Sequence, residues 1–182
     1  KINSLRFLPG DSICFKRGGV WSGQLNISHS GTTNHPIVFT AYGTGSKPII
    51  KNPGVEYGSA INITADWVVV ENFLVREAHE SGIIIRRDAD HNIVRNIEAT
   101  KVGMGFAIIG QFNQVTANYA HDLTMIKNTP GGDDAEGVDL IAEHAGDAVL
   151  RLELASQRHA VRLEDGHEVL RGEAEEREHL PQ

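Results

Sequence analysis

Three stretches of this chain restate one another at a period of 22 to 24 residues, and that period constrains the fold more than any other feature. They are ADWVVVENFLV from Ala65, ADHNIVRNIEA from Ala89 and GQFNQVTANYA from Gly110; each has a short apolar or β-branched run, then Asn, then another apolar residue. The matched asparagines are Asn72, Asn96 and Asn118, 24 and 22 residues apart. A second series runs beside the first: Gly82 in SGIII, Gly105 in MGFAII and Gly137 in EGVDLI. The apolar runs are too short for helices and rich in Val and Ile, which predicts strands. Two short strands with their turns every ~22 residues predict a solenoid, in which each coil stacks on the last and buries a continuous core. Asn suits a repeated corner because it tolerates the left-handed conformation and its amide bonds nearby groups. Stacked asparagines at 72, 96 and 118 are therefore expected to form a structural ladder.

Earlier segments read the same way. SICF at 12–15, GQLNI at 23–27, PIVFTAY at 36–42, PII at 48–50 and AINI at 60–63 are strand-like, and KRGG, SHSGTTNHP and GTGSKP between them are turn chemistry. Residues 10–141 make about five coils of one domain, here taken as 1–141, with INSLRF as the end of a capping helix. After residue 141 the composition breaks: residues 142–182 contain no Asn, Lys, Ile or aromatic residue, whereas all 11 Asn and all 6 Lys precede them. The tail holds 5 Arg against 10 Asp and Glu, or −5 of the chain's −7. Two readings of 142–182 stay open, a cap over the solenoid edge or a segment foreign to the fold.

The charge of −7 and pI of 5.7 argue against a nucleic-acid partner, which demands clustered Lys and Arg. No apolar run approaches the ~20 residues of a membrane helix. The single Cys14 has no internal disulfide partner and is expected in the core. Asn26-Ile-Ser28 and Asn62-Ile-Thr64 fit the glycosylation tripeptide, a pattern that arises often by chance.

Residues 5–50, LRFLPGDSICFKRGGVWSGQLNISHSGTTNHPIVFTAYGTGSKPII, resemble the N-terminal coils of right-handed parallel β-helix proteins of the pectate-lyase-like superfamily. The resemblance rests on a PGD turn, an F-x-R-G strand end, a W-x-G-x-L strand, an SGT…PI turn and an AYG-x-G-x-P-I-I corner, in that order, and extends over about residues 5–141. It implies an all-β, right-handed parallel β-helix with an atypical C-terminal tail. It also implies a secreted or cell-surface carbohydrate-active protein, most often a polysaccharide lyase acting by β-elimination on an acidic polysaccharide. A glycoside hydrolase and a non-catalytic glycan-binding or structural module are the alternatives, because this fold hosts several functions.

Elimination on a uronate needs the sugar carboxylate neutralised and a base for the adjacent proton. The stretch TPGGDDAEGVDL, residues 129–140, sits where the glycine period lengthens from 23 residues (Gly82 to Gly105) to 32 (Gly105 to Gly137). The extra residues are expected to bulge from one corner, where solenoids commonly build sites. Asp133, Asp134, Glu136 and Asp139 are the candidate ligands of a calcium cofactor, which takes oxygen donors, and Lys127 is the nearest candidate base. The cluster DDAEGVD is similar to the DDG-x-D of some calcium-dependent lyases of this fold, but is two residues longer. In RRDADH, residues 86–91, Arg86 and Arg87 are candidates to hold a glycan carboxylate, with Asp88 and Asp90 as substrate-binding or hydrolase carboxylates. Trp21, Trp67, Phe112 and Tyr119 could stack on sugar rings, Tyr119 being the substrate-binding candidate, whereas Trp67 beside its valines is expected in the core. His35, His79, His91 and His121 lack zinc spacing and read as turn or surface residues.

Overall fold

The computed structural model describes residues 2–129, 132–134, 136–140 and 149–152, with side chains described through residue 125. The chain winds as a right-handed parallel β-helix of about five coils with almost no helical structure, the hand that parallel crossovers take in nearly all cases.

Each coil crosses three faces. Face 1 stacks β1 (Ser12–Lys16), β4 (Ile37–Tyr42), β7 (Val68–Glu71), β9 (Ile93–Arg95) and the first half of β11 (Gln114–His121). Face 2 stacks β2 (Val20–Ser22), β5 (Ile49–Asn52), the first halves of β8 (Leu74–Ile85) and β10 (Glu98–Ile108), and the end of β11. Face 3 stacks β3 (Leu25–Ile27), β6 (Ile61–Ile63), the second halves of β8 and β10, and β14 (Glu136–Leu140). A short antiparallel pair, β12 (Ile126–Thr129) with β13 (Gly132–Asp134), interrupts the fifth coil between faces 2 and 3. β15 (Val149–Leu152) lies beyond the composition break and pairs in parallel with β11 on face 1.

Three strands per coil, where two were expected, follow from how the corners are made. Left-handed residues other than glycine recur at the corners: Asn72, Asn96 and Ala117 between faces 1 and 2, Glu77, Lys101 and Asp122 where the chain leaves face 2, and Trp67, His91 and Phe112 before face 1, with φ between 48° and 68°. With neither Gly nor Pro to punctuate them, the bends in β8 and β10 are silent in the sequence. An L-residue in this region costs about 1 kcal/mol, and the corner columns offset it by stacking. Asn96 Nδ2 donates to Asn72 Oδ1 at 2.6 Å, and Asn72 Nδ2 donates to Thr40 Oγ1 at 3.0 Å. The rings of Trp67, His91 and Phe112 lie parallel with centroids 4.2 and 4.9 Å apart.

The asparagine ladder differs from expectation in its third rung. β11 aligns Thr116 with Arg95, so Ala117 takes the corner under Asn96 and Asn118 falls one place later, opposite Ile97. Asn118 is buried; its Oδ1 accepts the Ile97 N–H at 2.8 Å and its Nδ2 donates to the Val94 carbonyl at 2.9 Å. The glycine series holds, because Gly82, Gly105 and Gly137 fall at matching positions of face 3.

The core is the column interior. Phe39, Val70, Val94 and Val115 come from face 1, Ile50, Val75, Ala99 and Ala120 from face 2, and Ile61, Ile83 and Phe106 from face 3, all buried. Fully burying a side chain of the Val, Ile or Phe class stabilises by roughly 1.5–3 kcal/mol, and here it fixes which strand residues face outward. Two placements differ from the sequence reading. Cys14 is exposed, because it alternates with the inward Phe15 on the outer side of β1. Trp67 is half-buried in the outer aromatic column, its left-handed backbone turning the ring away from the valines that follow. At the first coil, a 3-10 turn at Ile2–Ser4 places Asn3 against β3; its Oδ1 accepts the Asn26 N–H and its Nδ2 donates to the Gln24 carbonyl.

Candidate active site on face 2

Period-two alternation sends Trp21, Ile50, Val75, Ala99 and Ala120 inward on face 2, so the residues on either side of each point outward. One outward column reads Val20, Ile49, Leu74, Glu98, Tyr119, and the next Ser22, Lys51, Arg76, Thr100, His121. The adjoining corner adds Glu77, Lys101 and Asp122. Stacking coils ~4.8 Å apart thus gathers three cations, three carboxylates, an imidazole and a phenol from residues up to 71 positions apart in the chain.

His121 is the centre of this group. Its Nε2 lies 3.2 Å from Glu98 Oε1 and its Nδ1 lies 3.0 Å from Asp122 Oδ2, so the imidazolium form donates to a carboxylate on each side. Burial acts to lower the His121 pKa, but the hydrogen bonds and charges of Asp122 and Glu98 outweigh it and the net shift is upward from the ordinary histidine value. Tyr119 stacks on the same ring with centroids 4.6 Å apart and is 40% exposed, which leaves it open to a ligand.

The cations are held differently from one another. Lys51 Nζ pairs with Glu77 Oε2 at 3.0 Å, a hydrogen bond that holds the Glu77 carboxyl below its ordinary pKa against the opposing effect of burial. Arg76 Nε lies 3.2 Å from Glu77 Oε1 without aiming its N–H at the carboxylate. Lys101 is exposed and makes no side-chain hydrogen bond or ion pair among the described residues. Lys47, at the edge of the face, has its pKa lowered, first by burial and further by Arg17, with Glu98 pulling the other way.

The residues singled out in the sequence are placed as follows. Tyr119 belongs to the face 2 group. Arg86, Arg87, Asp88 and Asp90 lie at the corner between faces 3 and 1, away from face 2. There Arg86 Nε donates to Asn62 Oδ1 at 2.9 Å, Asp90 Oδ1 accepts the Gln111 N–H at 2.6 Å, and Arg87 and Asp88 are exposed. The backbones of Lys127, Asp133 and Asp134 belong to the β12–β13 pair, which bears out the expected bulge, and those of Glu136 and Asp139 to β14. The side chains of these five lie outside the described residues. Among the described residues no group of three or more His, Cys, Asp or Glu is arranged to hold a metal, and no helix is long and apolar enough to cross a membrane. The sequence reading took His121 for a turn or surface residue, whereas it ends β11 half-buried between two carboxylates, and it passed over Glu98, Lys51, Arg76, Glu77, Lys101 and Asp122. Only the coil register brings them together, and no local motif marks them.

No protein-family profile matches the chain, and no curated protein is detectably similar to it. Among solved structures it is similar to the GH136 lacto-N-biosidase from Eubacterium ramulus, with a TM-score of 0.62 at 17% identity over 78% of this chain and 32% of that one. It is also similar to an alginate lyase from Paenibacillus sp. str. FPU-7, with a TM-score of 0.52 at 14% identity over 81% of this chain and 63% of that one. The chain spans less than two thirds of either structure. These likenesses establish the fold, a parallel β-helix.

Proposed function

We propose that this β-helix is a carbohydrate-active protein that lays an acidic polysaccharide across face 2 and cleaves it by β-elimination, with His121 moving the proton. The observation that carries the reading is His121 clamped between Glu98 and Asp122 beside the cations of Lys51, Arg76 and Lys101. Its support from elsewhere is that both structural neighbours are, by name, carbohydrate-active enzymes, one of them a lyase.

In such a reaction a uronate carboxylate seated against Arg76 has its charge offset there, and the C–H beside it becomes more acidic. The neutral form of His121 takes that proton. The imidazolium form of His121, favoured by its raised pKa, returns one to the departing glycosidic oxygen. The C–O bond breaks as the C=C bond forms, leaving an unsaturated sugar at the new end.

A hydrolase is the second reading, favoured by the two carboxylates, Glu98 and Asp122, that flank one site. One assay separates the two: ultraviolet absorbance and reducing ends measured together on pectate and on alginate. Elimination predicts both signals, rising together and lost in His121→Gln. Reducing ends without absorbance would move the reaction to hydrolysis, and neither signal in the intact protein would leave a binding module.

Calcium at Asp133, Asp134, Glu136 and Asp139 remains a proposal about the acidic loop, and no step above depends on it. Location outside the cell or at its surface is proposed on the same footing, because polysaccharide is met there; recovery only in a cytosolic fraction of the source cells would contradict it.

A further inference from the structure

The corner between faces 2 and 3 is tight in the third and fourth coils and long in the second and fifth. In the third and fourth, a single left-handed residue, Glu77 or Lys101, makes the turn. In the second, eight residues separate Asn52 from Ile61, and in the fifth the chain leaves at Asp122 and enters the β12–β13 pair before rejoining face 3 at Glu136. Two walls therefore stand over a low floor. The resulting open pocket is lined by Pro53 and Gly54 on one side, Thr124 and Met125 on the other, and Glu77, Ala78, His79 and Lys101 between them.

The second-coil wall is anchored. Asn52 is buried and its Nδ2 donates to the Ser59 carbonyl at 3.1 Å, the Glu80 N–H donates to the Gly58 carbonyl at 3.1 Å, and Tyr57 meets His79 edge to face with centroids 5.4 Å apart. The Tyr57 N–H donates to His79 Nδ1 at 3.1 Å, which fixes the proton of neutral His79 on Nε2 as a donor. On the floor, the Glu77 charge is already answered by Lys51 and Arg76. Lys101 adds its charge at longer range to Glu77 but makes no side-chain hydrogen bond or ion pair among the described residues, and its own N–H bonds the carbonyl of Asp122, a carboxylate neighbour of His121. On the far side, Met125 is 50% exposed, an unusual degree for an apolar side chain set in a concavity.

We infer that this pocket is a second binding subsite, for the sugar that flanks the reacting one in an anionic glycan. The apolar sides of Pro53 and Met125 match the C–H face of a pyranose ring, Lys101 its carboxylate, and the His79 Nε2–H a hydroxyl. The inference deepens the reading of face 2 given above and rests on it.

The test is calorimetric titration of the intact protein with uronate oligomers of two to six residues, drawn from pectate and from alginate. The panel is wild type, Lys101→Gln, Met125→Ala, Lys101→Arg and His121→Gln, with melting temperatures confirming that each folds. The expected result is an affinity gain of about tenfold at the oligomer length that first reaches the pocket, the size of one modest charge-assisted contact. That gain is lost in Lys101→Gln, reduced in Met125→Ala and kept in Lys101→Arg, and the same three changes are repeated on His121→Gln so that cleavage of the oligomer does not enter the comparison. An unchanged length dependence in Lys101→Gln and Met125→Ala, with uronate binding intact, would overturn the subsite and leave the face 2 reading standing. Wild type that binds no uronate oligomer at any length would overturn both.

Discussion

At the scale of single residues, charge and hydrogen bonding make different demands. His121 is held toward its charged form by Glu98 and Asp122. A pKa raised in the folded state stabilises the fold fully below the unfolded value near 6.5, and that contribution is lost as pH rises through the folded pKa. Nuclear magnetic resonance titration of the His121 ring is expected to give a pKa above that of a free histidine, falling toward it in Glu98→Gln and Asp122→Asn; an unmoved value in the double variant would refute the clamp. Asn118 makes a purely structural demand. Truncation to Ala takes away the side-chain acceptor of the buried Ile97 N–H and one donor to the Val94 carbonyl, and an unpaired buried N–H alone costs about 1–3 kcal/mol. Urea unfolding should therefore show a loss of about 2–4 kcal/mol for Asn118→Ala, against less than about 1 kcal/mol for the exposed Asn96→Ala.

At the scale of strands and coils, register decides almost everything, and register is what the sequence expresses least directly. The coils of residues 5–63 were legible because Gly, Pro and Asn mark their turns and apolar residues alternate between them. The 82, 105 and 137 glycines were legible because backbone crowding forces the choice at Gly82, where a Cβ would stand 2.7 Å from the Gly105 carbonyl oxygen. The bends at Glu77 and Lys101 left no mark, since charged residues in the left-handed region look like any others, and Asn118 was misaligned because the interval from the Asn96 corner to the next one, at Ala117, is one residue shorter than the spacing of the asparagines suggested. The site fell into the same gap: Glu98 and His121 stand 23 residues apart, a separation that means contact only once the coil lengths are known. Close coil packing also yields a sharp expectation at Gly110, where an added Cβ would lie 2.0 Å from the Ala89 carbonyl oxygen. Gly110→Ala should cost about 3 kcal/mol or more, since neighbouring backbone cannot yield. Gly43→Ala, with φ of 82° and no atom within 4 Å, should cost about 1 kcal/mol from backbone strain alone. Equal midpoints in urea for the two variants would contradict the stacking described.

At the scale of the whole molecule, the β-helix is a column whose stability accumulates coil by coil, and whose binding surface is one face of that column together with the long corners beside it. Binding to the folded state raises its melting temperature by mass action. A calcium-specific rise, absent with magnesium and lost in Asp133→Ala/Asp134→Ala, would therefore establish a cation site in the acidic loop, and no rise would remove it. The placement of the glycan on face 2 is tested most directly by mapping amide resonances as a uronate oligomer is added. Face 2 binding predicts shifts concentrated at residues 98–101 and 119–125, with Lys51 and Arg76 alongside. Shifts confined to residues 86–91 instead would place the ligand at the corner between faces 3 and 1 and contradict the site built here around His121.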